Sequence, residues 1–172
     1  LGPACALGRT NGYLIGNLKK HVATGTTTRS FEIGDAGAYT PVTVAFGSVT
    51  IAGDLAASTT PGIHPQFGTS GLDGTKHLNR YYTLVNSGTV FTTADATLNF
   101  AAGDVPGGAT TANFIVKKYD GGVWSAPATA NPLATSIQAT GLGSFSDFAV
   151  GEAAVVLPDS FLVSGIAGPH GQ

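Results

Sequence analysis

The chain has 172 residues and a formal net charge of -2, with only 10% charged and 42% hydrophobic residues and a mean hydropathy of +0.20. That length suits one domain with a real core, but ordinary soluble domains carry about 25% charged residues, so this surface is unusually neutral and little repulsion keeps copies apart. The eight Lys and Arg are scattered, with Lys19-Lys20 and Lys117-Lys118 as the doublets, which excludes an electrostatic footprint for nucleic acid, and no apolar run reaches the roughly 18 residues of a membrane-spanning helix.

Twenty-five glycines and nine prolines punctuate short β-branched runs that show little 3.6-residue periodicity. The expectation is an all-β chain, an antiparallel β-sandwich (Ig-like or jelly-roll-like) of about 9 to 10 strands with extended terminal segments. In chain order, strands are expected at Tyr13–Val22, Ser30–Gly34, Pro41–Phe46, Ser48–Ala56, Lys76–Asn86, Ala94–Ala101, Asn113–Tyr119, Ala134–Thr140 and Ser144–Gly151, with a tenth at Val155–Val163. Alternation supports them: Val42, Val44 and Phe46 oppose Thr43 and Ala45, and Val49, Ile51 and Gly53 oppose Thr50 and Ala52. Breakers such as Gly34-Asp35-Ala36-Gly37, Thr60-Pro61-Gly62 and Asp120-Gly121-Gly122 supply the turns. Residues 1–11 read as an N-terminal extension, 12–152 as the sandwich domain and 153–172 as an apolar tail.

Within His77–Val85, Arg80 shares a face with Leu78, Tyr82 and Leu84, and an arginine on an apolar face needs a partner. A structural ion pair of Arg80 with Glu32, or with Asp35, is expected. Phe31-Glu32-Ile33-Gly34-Asp35 and Phe148-Ala149-Val150-Gly151-Glu152 share the pattern Phe-x-[Ile/Val]-Gly-[Asp/Glu] and read as two strands ending in similar glycine turns.

Several segments resemble, in order, a β-rich module of large secreted bacterial surface proteins. They are Gly12-Tyr13-Leu14-Ile15-Gly16-Asn17-Leu18-Lys19-Lys20-His21-Val22, Phe31–Asp35, Tyr39-Thr40-Pro41-Val42, Asn79-Arg80-Tyr81-Tyr82-Thr83-Leu84, Phe114–Asp120 with Trp124, and Ser144–Glu152. The resemblance covers about residues 12–152 and implies a secreted or cell-surface sandwich with no catalytic residue set to carry over. The chain is short for that setting and shows no neighbouring modules. Its lack of Met, including at position 1, fits an exported and processed chain.

The tail is the most telling segment. Val155, Val156, Leu157, Phe161, Leu162 and Val163 form an apolar run interrupted by Pro158-Asp159 that should not hang in water. A sandwich with an open edge can take an extended segment from a neighbour as a further strand. Burying Val155, Leu157, Phe161 and Val163 at about 1.5 to 3 kcal/mol each would contribute roughly 6 to 12 kcal/mol before ordering costs. Repeated head to tail, such a contact gives a filament when the rotation does not close. The alternatives are a tail that pairs with its own domain and a donor segment at Leu1–Asn11. The expected role is therefore a structural subunit of an extracellular filament or surface array: a homopolymer of identical subunits, no enzyme, no cofactor and no metal.

Other chemistry is weakly represented. Gly-x-Ser-x-Gly, phosphate-loop, His-Glu-x-x-His and EF-hand patterns are absent, and His64, Asp73 and His77 match no metal-ligand spacing. Lone Cys5 forms no intramolecular disulfide. The competing function is a carbohydrate-binding or adhesive module whose partners are surface glycans, stacked on Trp124 with Tyr119 or on Tyr81 and Tyr39; Trp124 is otherwise expected to plug the sandwich core.

Overall fold

The computed structural model describes residues 10–155, whose fourteen strands form an antiparallel β-sandwich. They are β1 (Leu14–Ile15), β2 (Leu18–Val22), β3 (Gly25–Phe31), β4 (Ile33–Gly34), β5 (Val42–Ile51), β6 (Gly53–Pro61), β7 (Leu72–Ser87), β8 (Val90–Phe91), β9 (Ala94–Asn99), β10 (Ile115–Asp120), β11 (Val123–Ser125), β12 (Ala128–Ala130), β13 (Ser136–Leu142) and β14 (Asp147–Ala153). The first sheet has the order β11-β10-β14-β7-β6-β2, and the second has β12-β13-β9-β5-β3 with β8 also on β5. A small parallel pair, Leu14 with Ile33 and Ile15 with Gly34, joins β1 to β4.

The core is built by alternation. Val42, Val44, Phe46, Leu98 and Ile137 from the second sheet meet Leu55, Leu78, Tyr82, Leu84, Val116 and Phe148 from the first, all almost fully buried. Each contributes about 1.5 to 3 kcal/mol of transfer free energy.

Several boundaries differ from the sequence expectation. Positive-φ Gly16 separates β1 from β2 within the expected Tyr13–Val22 strand. The expected strand at Ser30 begins at Gly25 instead, because a run of threonines has no apolar alternation to read yet suits a half-exposed ladder. The two expected strands at Pro41–Phe46 and Ser48–Ala56 are one strand to Ile51, after which the chain crosses sheets at Ala52. Val49 is buried as its alternation requires, but Ile51 lies 57% exposed. Asn113 belongs to a 3-10 turn rather than to β10, and β8, β11 and β12 are too short to carry a period.

The two glycines of the shared Phe-x-[Ile/Val]-Gly pattern prove to be sites of close approach rather than turn positions. A Cβ on Gly34 would lie 2.2 Å from the Ala38 carbonyl oxygen and 2.6 Å from the Tyr13 ring, and one on Gly151 would lie 2.8 Å from His77 Cβ.

The long sides of the sandwich are fastened by inward-facing lysines. Lys20 on β2 pairs with Glu32 at 2.6 Å and donates to the Ser30 carbonyl. Lys118 on β10 pairs with Asp120 at 3.0 Å and bonds to Ser144. The backbone carbonyl of His21, on edge strand β2, accepts from Arg29 Nε at 2.8 Å. At the opposite edges, β11 and β12 have three residues each with Pro127 between them, which leaves little free ladder for another chain.

Candidate functional site

Arg80 sits on the inner face of β7, only 2% exposed, and does have its partners. Its Nε and Nη2 donate to both oxygens of Asp104 at 2.9 and 3.2 Å, Nη1 donates to Thr59 Oγ1 at 2.8 Å, and Nη2 lies 2.6 Å from Asp35 Oδ2. Of the two expected acids, Asp35 takes the arginine and Glu32 does not. Glu32 belongs to the Lys20 pair because the side chain between β4 and β3 reaches the edge of the first sheet, not its centre. Asp104, in the 3-10 turn Ala102–Asp104, gives no sign of this role in the sequence, because an Asp within Gly103-Asp104-Val105-Pro106 reads as a turn residue. Burial pushes the Asp35 carboxyl up, but the Gly37 N–H and Arg80 outweigh it and hold the group below its usual value of 3.8. Burial also opposes the charge on Arg80, and its two carboxylates more than offset this and raise its pKa. Beside the network, the Tyr82 hydroxyl donates to the Asn99 carbonyl at 2.6 Å, and burial raises its pKa. Four of the five guanidinium N–H groups are engaged by protein groups, and the network closes one end of the sandwich.

A second cluster lies on the outer face of the first sheet, where the β6–β7 connection folds over the strands. His64 is 5% exposed, with its ring within 5.0 to 5.1 Å of Tyr81, Tyr119 and Trp124. Its Nδ1 accepts from the Gln66 N–H at 3.1 Å, which assigns the proton to Nε2, and Nε2 donates to Asp147 Oδ2 at 3.2 Å. Thr83 donates to the other Asp147 oxygen at 2.6 Å, and Trp124 Nε1 donates to the Gln66 carbonyl at 2.9 Å. With both ring nitrogens occupied, His64 is a latch and not a base. Trp124 therefore plugs this connection instead of the sandwich core. The Trp124 and Tyr119 rings stand 49° apart, so they offer no coplanar sugar platform. Among the described residues no three His, Cys, Asp or Glu gather to hold a metal ion, and no helix is long and apolar enough to cross a membrane.

The third feature is the end of the sandwich remote from Arg80. Here β5 crosses to β6 at Ala52, and β7 crosses to β8 through Gly88 and Thr89. Between the two sheets lies an open groove of about 570 Å³, walled by Leu84, Val85, Val90, Phe91 and Phe145 and by the segment Gly143–Asp147. Val85 and Val90 are 55% and 48% exposed. Phe46, Phe91 and Phe145 pack at 5.0 to 5.9 Å beneath it. Val85 carried a signal in the sequence: it is apolar on the solvent face of β7, opposite the buried Leu84.

β14 ends at the other extreme, where Ala153 pairs with Leu72 and the Ala154 N–H donates to the Gly71 carbonyl at 2.9 Å. Of the expected interface residues, Val155 follows directly and is 78% exposed. Val156, Leu157, Phe161, Leu162 and Val163 lie outside the described residues, as does the Leu1–Arg9 part of the N-terminal segment. Compared with protein-family models, with curated proteins and with solved structures, the chain matches none.

Proposed function

We propose that the chain is a structural subunit of an extracellular filament or cell-surface array, a homopolymer in which each subunit's C-terminal apolar segment is added as a strand to a neighbour. The observation that carries this reading is polarity. The last described strand, β14, ends at the Gly71–Leu72 end of β7, and the open groove lies at its Thr83–Asn86 end. A donor at one end and an open groove at the other, where Leu84, Val85, Val90, Phe91 and Phe145 alternate with Thr83, Asn86, Ser144 and Asp147, make a heterologous contact, which propagates instead of closing a dimer. The sparse charge of the surface favours such association, and the resemblance to secreted surface modules favours the extracellular setting.

Electron microscopy of the purified full chain, beside a chain truncated after Val155, tests the reading. Regular filaments from the full chain and dispersed β-rich monomers from the truncated one are expected. Filaments from both would remove the tail from the mechanism, and monomers from both would overturn the structural role in favour of glycan binding.

A further inference from the structure

We infer that the acceptor is a missing-strand notch at the open end, and that its occupant is Phe161–Val163 of a second copy, laid along the β7 edge at Val85–Ser87. This rests on the proposed polymerisation and names its docking site.

The notch exists because both sheets lose a strand at the same level. β14 pairs with β7 only as far as Thr83, and among the described residues the last backbone bond on that side runs from the Leu84 N–H to the Ser146 carbonyl at 2.9 Å. β7 continues to Ser87 with β6 on its other side. Backbone groups alternate sides along a strand, so the N–H and C=O of Asn86 point the same way as those of Leu84, toward the notch. No described strand lies against them there. Across the groove, β13 pairs with β9 up to Ala94, while β8 has β5 on one side and no described strand on the other. The segment Gly143–Ser146 leaves both ladders short as it passes from one sheet to the other.

Side chains suit the same occupant. Half-exposed Val85 and Val90 flank the notch over Phe91 and Phe145. The Thr89 hydroxyl beside it is buried and has no partner, although its backbone is fully held by Asn86. The free edge at Val85–Ser87 is three residues long, and Phe161-Leu162-Val163 is a three-residue apolar run between Ser160 and Ser164.

Reach decides whose tail it is. Among the described residues Ala154 makes the last bond to its own domain, and Val163 is nine residues further, at most about 32 Å of extended chain. From Leu72 to Val85 along β7 is about 40 Å at the rise of a strand. A subunit's own notch lies beyond that run, whereas the notch of a copy stacked end to end lies within it.

The test uses the full chain with Cys5→Ser, carrying Val85→Cys together with Phe161→Cys, Leu162→Cys or Val163→Cys in turn. Mild oxidation should give a ladder of disulfide-linked multimers in at least one pairing and none with Val85→Cys alone. Filaments without a ladder in any pairing would overturn this site and leave polymerisation standing. A cross-linked monomer would overturn the exchange between copies. A chain that never assembles would overturn both readings. Independently, Val85→Glu with Val90→Glu should keep the β-sheet circular dichroism and melting profile and abolish filaments; undiminished filaments would overturn the site.

Discussion

The two ends of this sandwich solve the same problem in opposite ways. At the Arg80 end, loops carrying Asp35 and Asp104 fold across the gap between the sheets and neutralise a buried cation, with Asp35 Oδ2 held by its ion pair to Arg80 rather than by a hydrogen bond. At the Val85 end the strands stop at unequal lengths, leaving valines half exposed and a hydroxyl unpaired. The first arrangement serves stability. The second contributes little to it, and is the kind of edge that a folded protein keeps open only at a cost in solubility.

Substitutions should separate the two. The largest effect is expected for Arg80→Met, which leaves Asp35 and Asp104 buried without their cation and should cost about 3 to 5 kcal/mol, measured by chemical denaturation; a loss below about 1 kcal/mol would show that the network is solvated in solution. His64→Ala should cost about 1 to 3 kcal/mol. Because Trp124 is the sole tryptophan, its fluorescence should shift to the red and melt before the circular dichroism signal; coincident melting would mean that the outer connection is not an independent latch.

Acid should act on the closed end. The Asp35 carboxyl titrates below 3.8 in the folded chain, so its contribution is complete above that pH and is lost as pH falls through the lower folded value. Thermal melts between about pH 5 and pH 2 should show this loss in the wild type and less of it in Asp35→Asn; identical slopes would shift the acid response to other carboxylates. The smallest effect on stability belongs to the open end, where Val85→Glu should change unfolding free energy by no more than about 0.5 kcal/mol while removing assembly.

Legibility in the sequence followed the same division. Strands with one apolar face, such as Val42–Phe46 and the Leu78–Leu84 part of β7, announce themselves because the period of two is imposed by burial. The threonine strand β3 and the three-residue β11 and β12 are held by ladder bonds to their neighbours, which leave no trace in composition. Arg80 was identifiable as a buried charge in need of an acid, and Asp35 was one of two acids that the sequence offered. Asp104 was hidden because its role depends on a turn 24 residues away returning to the same end of the sheet. The chemistry of Trp124 suits a core residue, and tertiary structure places it over the outer face, against a connection whose path no local pattern encodes.

What the sequence determined by itself is the class of fold, the need to neutralise Arg80 and the presence of an apolar C-terminal run, because each follows from the side chains present and their spacing. Tertiary structure alone decided which acids meet Arg80, that the connection bearing His64 seals the outer face, and that the groove and the last residues of β14 lie at opposite ends. Those depend on where strands stop relative to one another, and strand length in a sheet is set by partners distant in the chain rather than by the strand's own residues.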